Sequence, residues 1–341
     1  MVAAALLLAG CGPPAPDRPA CQWQALDTGF TVSTLAAAGD DLLIGGRSDT
    51  APALMTAAGR HISMDPRSLY GSAGILVQVA GDGHRVFALA NIAGGAHLNP
   101  RWTVWAGSMD GLVEEPQPVE TFGGPDAGGL TALTLDASGP LLLGSWSQPD
   151  GSIGGTLWGR TGSAWSQLPA AAPLAGAAGN RFLPTGIAIT ADRLVVAGFL
   201  VSGNGLRAAV AIGERTGNWH LAELTSADSV ATDVACDTAR CVLVGRIGTA
   251  LAGWELPGGS TTATAIAMPE QRVTGGSDTP RVTAGDGTVA LLVDRTAGTA
   301  TGYLQRDGAW STTTLPTGSH RLVVGAAGLA TLADGRAYRH C

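Results

Sequence analysis

Short apolar runs alternate with small polar turns along the whole chain. The clearest copy spans 282–293, where two runs of β-branched and aliphatic residues flank Ala284-Gly285-Asp286-Gly287. Asp-Gly between apolar runs is a strong hairpin signal, because Gly readily adopts the positive φ that a tight turn needs. Related runs follow a turn at seven places, and they begin at Leu42, Val86, Leu141, Leu194, Val242, Leu291 and Leu329. The pattern predicts seven β-hairpins.

Further strands are predicted after most of these hairpins. A variable loop leads to a third strand, and a turn then leads to a fourth strand that often begins with Trp, as at Trp165, Trp219 and Trp310. Four strands repeated roughly every 40 to 55 residues are typical of a β-propeller blade, whereas helical solenoids need a 3.6-residue apolar period. We therefore predict an all-β fold, a seven-bladed β-propeller of four-stranded antiparallel blades over residues 21–341.

The seventh hairpin indicates how the ring would close. Only 336–341 follows it, which is enough for a third strand but not for a fourth. The segment 21–26, which contains Trp23, resembles the Trp-led fourth strands. We expect this N-terminal strand to complete the last blade, because that arrangement leaves no sheet edge with unpaired amides.

The N-terminus carries a targeting signal. An apolar run, 3–9, is followed by Gly10 and Cys11, and the tetrapeptide Leu8-Ala9-Gly10-Cys11 resembles the lipobox of bacterial lipoprotein signal peptides. In that family the peptide is cleaved before the Cys, whose sulfur receives a diacylglycerol. The run is too short to span a bilayer, which needs about 20 apolar residues. We predict a signal peptide over 1–10 and a lipidated Cys11 followed by a Pro-rich tether to residue 20, with an ordinary secretion signal as the alternative.

Blade-like repeats behind a lipobox resemble the lipid-anchored β-propeller lipoproteins of bacterial envelopes. The resemblance implies a protein on the outer face of the bacterial cytoplasmic membrane, or a secreted one if lipidation fails. Cysteine usage fits that compartment, since Cys21, Cys236, Cys241 and Cys341 remain after Cys11 and an even number favours two disulfides. Three pairings are possible, and proximity favours Cys236 with Cys241, leaving Cys21 with Cys341.

Composition excludes several classes of function. All 20 basic residues are Arg, so the chain has neither the lysine of a P-loop nor one for Schiff-base chemistry. The formal net charge of −7 disfavours nucleic acid as a partner. The six His residues lack ligand spacing and no zincin, hydrolase-elbow or dinucleotide motif is present, so we expect neither a metal nor a cofactor.

One arrangement of Arg residues suggests a binding site. Arg47, Arg246 and Arg295 each end the second strand of a repeat, and equivalent positions in a propeller converge on one face of the central channel. Guanidinium groups bind carboxylates bidentately, so the three residues could bind an anion. Loops at the same level would add His97 and Trp146. The alternative is that each Arg pairs with a neighbouring acidic residue and only shields a strand end.

The sequence leaves two functional hypotheses. The first is a binding or scaffolding module of the cell envelope that recognises an anionic or carbohydrate ligand or a protein partner. The second is a carbohydrate-active enzyme, a sialidase-like glycosidase or lyase, although 306–310 has only part of the sialidase Asp-box. An enzyme of this kind would place two carboxylates within about 10 Å at the channel mouth, whereas a binding module need not.

Overall fold

The computed structural model describes residues 22–94, 99–190, 193–226, 228–276, 278–285, 287–295 and 299–340. In chain order the strands are β1 (Trp23–Ala25), β2 (Thr31–Ala38), β3 (Asp41–Arg47), β4 (Pro52–Thr56), β5 (His61–Asp65), β6 (Ile75–Gly81), β7 (Arg85–Gly94), β8 (Asn99–Ser108), β9 (Gly111–Glu115), β10 (Ala127–Asp136), β11 (Gly139–Ser147), β12 (Ile153–Thr161), β13 (Ala164–Gln167), β14 (Gly176–Ala177), β15 (Asn180–Ile189), β16 (Leu194–Ser202), β17 (Gly205–Glu214), β18 (Gly217–Glu223), β19 (Ser229–Cys236), β20 (Arg240–Ile247), β21 (Ala250–Pro257), β22 (Thr264–Ile266), β23 (Asp278–Gly285), β24 (Thr288–Arg295), β25 (Thr301–Arg306), β26 (Ala309–Thr313), β27 (Ser319–Gly325), β28 (Gly328–Ala333) and β29 (Arg336–His340).

Helical structure is confined to short connections. Two α-helices, α1 (Leu69–Ala73) and α2 (Val119–Phe122), and one 3₁₀ helix, Pro169–Ala175, link successive groups of strands in the described residues. None of these helices is long and apolar enough to cross a membrane.

The predicted hairpins are present. Each predicted second strand pairs antiparallel with the strand before it, in β2–β3, β6–β7, β10–β11, β15–β16, β19–β20, β23–β24 and β27–β28. A third strand pairs with the second in every case, and the predicted Trp-led fourth strands are β13, β18, β26 and β1. The result is an all-β propeller with antiparallel blades, in which the first strand of each hairpin (β2, β6, β10, β15, β19, β23 and β27) is the inner strand.

The division into sheets differs from the predicted seven separate blades. The described strands form six sheets: five contain four or five strands, and one contains eight. The eight-stranded sheet arises because β5 pairs in parallel with β9, with Ser63 opposite Gly111 and Asp65 opposite Val113. An outer strand exposes unpaired backbone N–H and C=O groups, and here β5 and β9 pair these groups with each other. The sequence pattern, which identifies hairpins, contains no signal for a pairing between outer strands.

The first and last described strands pair with each other, as expected. In β1 and β29, Trp23 lies opposite His340 and Ala25 lies opposite Tyr338. The Trp23 ring meets the His340 ring edge-on with centroids 4.9 Å apart, and Trp23 Nε1 donates to the Thr314 carbonyl at 2.6 Å. The N-terminal strand is therefore bound both to the C-terminal strand and to the preceding group of strands.

One predicted disulfide is confirmed. Cys236 and Cys241 lie opposite each other at the turn between β19 and β20, with a sulfur–sulfur distance of 2.02 Å. Cys11, Cys21 and Cys341 lie outside the described residues, as do the signal peptide and the tether. The lipidation of Cys11 and the bridge between Cys21 and Cys341 stay predictions.

The inner strands share an irregularity. In six of them one residue is skipped in the pairing with the second strand, at the same place each time; within the described residues these are Ser33, Val77, Thr131, Thr185, Thr232 and His320. A β-bulge of this kind bends the strand and redirects its side chains. The redirected hydroxyl groups of Ser33, Thr185 and Thr232 reach the next inner strand.

Side chains on the inner strands form a belt of hydrogen bonds between neighbouring sheets, which we call the inner belt. Its bonds join Ser33 Oγ to Leu76 O, Gln78 Nε2 to Thr131 O (2.6 Å), Thr185 Oγ1 to Ala231 O (2.9 Å), Thr232 Oγ1 to Pro280 O (2.6 Å), Val324 N to Thr283 Oγ1 (3.2 Å) and Arg321 Nη1 to Thr34 Oγ1 (3.1 Å). The last bond runs from β27 to β2. These bonds join six of the seven pairs of adjacent inner strands in the described chain, all but β10 with β15.

Removing one hydroxyl group tests the inner belt. We expect Thr232→Val to lower the free energy of unfolding by about 1 to 2 kcal/mol, because it leaves the Pro280 carbonyl without its donor while keeping the side-chain shape. Thr312→Val is the matched control, since Thr312 is exposed on β26. Urea denaturation of both variants measures the effect. Equal stability of the two variants would contradict a structural role for the belt.

Candidate functional site

Strand direction assigns each loop to one of two faces. The turns inside the hairpins lie at one end of the sheets, which we call the turn face. The loops between second and third strands lie at the other end, together with the connections that carry α1 and α2. We call this end the loop face.

Exposed apolar side chains are concentrated on the loop face. Eight large hydrophobic residues of the described chain are exposed. By their positions in the strand order, seven belong to the loop face: Leu69, Tyr70, Ile75, Val119, Ile153, Val201 and Ile247. Leu69 is 80% exposed, whereas the eighth residue, Val113, lies on outer strand β9. The exposed apolar residues of the described chain therefore belong mostly to one end of the sheets.

A cleft of about 100 Å³ opens between α1 and α2. Tyr70, Arg101, Trp102 and Val119 line it. The Arg101 guanidinium carbon lies 5.8 Å from the centre of the Tyr70 ring, and Arg101 Nε is buried without an acceptor in the described structure. The cleft therefore combines aromatic surface with an unused hydrogen-bond donor.

Two carboxylates beside this cleft have structural partners. Glu114 is buried and accepts hydrogen bonds from the backbone nitrogens of Arg67 (2.6 Å) and Ser68 (2.8 Å), which fixes the start of α1. Gly71 makes this possible, because a Cβ there would lie 1.9 Å from Glu114 Oε2. Glu115 binds the guanidinium of Arg160 through both oxygens.

The Arg residues singled out in the sequence lie on the loop face, and two of them are bound within the fold. Arg47 Nη1 donates to the carbonyls of Ser72 (3.1 Å) and Gly74 (2.9 Å) and so holds the end of α1. Arg246 Nη1 binds Asp228 Oδ2 (3.1 Å), which is the acidic-neighbour arrangement considered as the alternative.

The other predicted ligand residues have different surroundings. Arg295 Nε is buried without an acceptor among the described residues. Burial raises the pKa of Tyr303, and the nearby Arg295 opposes that rise. Trp146 packs edge-on against Trp158, with ring centroids 5.8 Å apart. His97 lies outside the described residues, so an anion site built from these five residues stays a prediction.

A second charged group lies in the central channel, where the sequence analysis had not placed one. The inner strands enclose a cavity of about 300 Å³. One position recurs on them, directly after the bulge or its equivalent, and is occupied by Thr34, Gln78, Ala132, Gly186, Asp233, Arg281 and Arg321. The side chains at this position are therefore uncharged on one side of the channel, and the other side carries one acidic and two basic residues.

The Asp233 carboxylate is held by backbone amides rather than by the arginines. Val234 N donates to Oδ1 (2.9 Å) and Val282 N to Oδ2 (3.1 Å). Gly186 leaves room for it, because a Cβ there would lie 2.7 Å from Oδ1. Burial raises the pKa of Asp233, against the lowering effects of Arg281, the two amides and Arg321.

The two channel arginines are not neutralised by a close ion pair. Burial and the neighbouring Arg281 lower the pKa of Arg321 to about 10, although Asp233 opposes this. Arg321 makes one hydrogen bond, to Thr34, whereas Arg281 is exposed to the channel and makes none with the described chain. No ion pair within 4.0 Å joins Asp233 to either arginine in that part of the chain. The channel is therefore cationic.

The sequence contained a signal for this group that the hairpin analysis did not use. Thr232-Asp233-Val234, Pro280-Arg281-Val282 and His320-Arg321-Leu322 each place a charge in the middle of an otherwise apolar strand pattern. A charge inside a buried strand requires a polar environment. Three such charges at one repeat position indicate that they share that environment.

The arrangement bears on the glycosidase hypothesis. Asp233 is the one carboxylate among the described residues that line the channel cavity. Glu114 and Glu115 both line the cleft, and both are bound by structural groups. No group of three His, Cys, Asp or Glu residues in the described ranges could hold a metal ion.

Comparisons with known proteins support the fold. No protein-family model matches the chain, and no curated protein matches its sequence. The structure of YCF48 bound to D1 peptide is similar with a TM-score of 0.56 and 16% identity, covering 96% of this chain and 97% of that one. The Dos1 propeller gives a TM-score of 0.52 and 10% identity, covering 94% and 93%. A prolyl endopeptidase gives 0.56 and 12%, covering 92% of this chain but 50% of that one. At these identities the similarity shows a β-propeller fold.

The raised pKa of Asp233 predicts a pH-dependent stability. The folded protein binds a proton at Asp233 more readily than the unfolded chain does, in which the pKa of this residue is near 3.8. Asp233 therefore destabilises the fold increasingly as pH rises from the unfolded pKa to the higher folded pKa. We expect Asp233→Asn to gain stability relative to the wild type between about pH 4 and about pH 8. Urea unfolding at both pH values measures this, with exposed Asp49→Asn as the control. A difference between Asp233→Asn and wild type that does not change with pH would contradict the prediction.

Proposed function

We propose that this chain is a lipid-anchored binding propeller of the bacterial cell envelope, and that it captures another protein on its loop face. The observation that supports this most directly is the concentration of exposed apolar side chains there. Seven of the eight such residues in the described chain belong to one end of the sheets. Exposure of this kind costs free energy in a monomer and is relieved when a partner covers it.

The position of the N-terminal strand supports an orientation relative to the membrane. Because β1 is antiparallel to β29, it runs from the turn face to the loop face, and Gln22 lies at the turn face. Cys11 precedes Gln22 by eleven residues, which span at most roughly 40 Å. A lipid on Cys11 would thus hold the turn face towards the membrane and leave the loop face directed away from it.

A protein partner fits the similar structures better than a small substrate does. YCF48, which is similar along nearly the whole of both chains, is bound to a peptide in its structure. The groups that line the cleft suit a peptide, since the aromatic rings of Tyr70 and Trp102 can pack on apolar side chains.

We also propose that the ring has seven blades and is closed by β1. The eight-stranded sheet consists of two antiparallel groups, β2–β5 and β6–β9, and among the described strands the pairing between them is the parallel one of β5 with β9. Counting each group as a blade gives seven. The inner belt, which links β27 back to β2, supports a closed ring. A bridge between Cys21 and Cys341 would reinforce the same junction.

Two matched substitutions test the loop face. Val119 and Val113 are exposed to nearly the same extent, 44% and 41%, but only Val119 lies at the loop face. We expect Val119→Ser and Leu69→Ser each to reduce the amount of bound partner to half of the wild-type amount or less. Each substitution removes apolar contact area whose burial contributes about 1 kcal/mol to binding. Quantitative mass spectrometry of proteins crosslinked to the chain in intact envelopes measures this. Equal loss with Val113→Ser would show that the loop face is not the binding surface.

Replacing the predicted lipid attachment residue tests the anchor. We expect Cys11→Ala to abolish lipidation and shift the chain from the detergent phase to the aqueous phase, since two acyl chains are needed for stable anchoring. Phase partition and the mass of the N-terminal peptide measure this. Cys341→Ala is the control because it removes a thiol without touching the lipobox. A wild-type N-terminal peptide without lipid would exclude the anchor and leave the proposed loop-face partner unaffected.

A further inference from the structure

We propose that the central channel holds a small oxyanion, a carboxylate or a phosphate, between the guanidinium groups of Arg281 and Arg321. This site is separate from the loop face, from Arg47, Arg246 and Arg295, and from the proposed partner. It uses side chains for which the fold provides no full set of hydrogen bonds.

The two guanidinium groups come from adjacent inner strands at the same repeat position. Arg281 pairs with Leu292 in β23–β24, and Arg321 pairs with Leu332 in β27–β28. Both arginines line the channel cavity. Because β23 and β27 pack against each other, the two charges lie on the same side of the channel.

Most of the donors of these arginines are unused. A guanidinium group carries five N–H donors. Arg321 uses one nitrogen, Nη1, towards Thr34 Oγ1, and Arg281 makes no hydrogen bond with the described chain. Guanidinium groups match carboxylate and phosphate oxygens bidentately, so an oxyanion satisfies donors that now face the channel.

The charge balance also favours an anion. The titratable residues among the described lining of the cavity are Asp233 from β19, Arg281 from β23 and Arg321 from β27. Asp233 offsets one positive charge at a distance, while its oxygens are bound to Val234 N and Val282 N. A net positive charge therefore remains, and the low polarizability of the surroundings strengthens its attraction for an anion.

The space limits the ligand. The cavity of about 300 Å³ is at the lower end of the sizes of small-molecule sites. Opposite the arginines, Ala132 and Gly186 contribute little side-chain volume, and the Gln78 amide is bound to Thr131 O and Leu133 N. Recognition therefore depends on the two guanidinium groups. Ala132 leaves room for a compact anion, whereas the space at Gly186 is taken by the Asp233 carboxylate.

Asp233 acts in this site as an internal competitor of the ligand. Its negative charge attracts the same two arginines, Arg281 from the neighbouring inner strand β23 and Arg321 from β27 beyond it. Protonation of Asp233 removes the competing charge. Anion binding is therefore expected to tighten as pH falls, through the linkage between the two equilibria.

Calorimetric titration of the purified chain with acetate, succinate and inorganic phosphate tests the site. We expect the wild type to bind one equivalent of at least one of these anions, and the preferred probe distinguishes a carboxylate site from a phosphate site. Arg281→Gln should weaken that binding at least about tenfold, because it removes a charge-assisted donor pair. Arg60→Gln is the matched control, since Arg60 pairs with Asp110 on the surface.

A variant with the opposite effect keeps the test independent of folding. Asp233→Asn should bind the anion more tightly than wild type and show a smaller change of affinity with pH. Arg321→Gln is followed by thermal melting as well as by titration. Binding of none of the three probes, equal affinity in wild type and Arg281→Gln, or weaker binding by folded Asp233→Asn would each overturn the proposal. An equal loss in Arg60→Gln would show non-specific attraction and would overturn it too.

Discussion

Burial of both faces of every second strand is the constraint on which the rest of this structure depends. Along β11, Leu141 and Leu143 pack into one cluster together with residues of β15–β17, whereas Leu142 between them packs into another with Leu89 and Val104. The same division recurs in β3, where Leu43 belongs to one cluster and Ile44 to another. Each second strand thus contributes to two interfaces between sheets, and a polar residue on either face would remain in a dry interface.

This constraint explains which parts of the fold the sequence predicts. A strand covered on both faces is a continuous apolar run, and a tight turn before it requires residues such as Gly and Asp. The local sequence therefore predicts the hairpins. The parallel pairing of β5 with β9 is different. It depends on where two outer strands come to lie after the sheets have packed, and nothing in His61–Asp65 specifies a partner.

The site was less predictable for a related reason. Arg47 ends β3 and Arg246 lies one residue before the end of β20, but their hydrogen bonds to Gly74 and Asp228 depend on neighbouring segments of irregular structure. The channel charges were missed because their orientation depends on the bulges. In each of their strands a bulge skips the residue before Asp233 or Arg321 in the pairing, and this bulge turns the charged side chain into the channel. A strict two-residue alternation of apolar and polar positions does not reveal such a bulge. Charged residues that interrupt an apolar strand pattern are thus better guides to this channel than residues at strand ends.

The pairing of β1 with β29 has a consequence for biosynthesis. Trp23 and His340 lie opposite each other although most of the chain separates them. Such a long-range contact forms slowly, and it cannot form until the last strand has been synthesised. Until then the other sheets can assemble in order, while the sheet that contains β27–β29 lacks an outer strand. The exposed edge of β29 is therefore most prone to aggregation before β1 pairs with it. A chaperone that binds this edge would protect the nascent protein during that time.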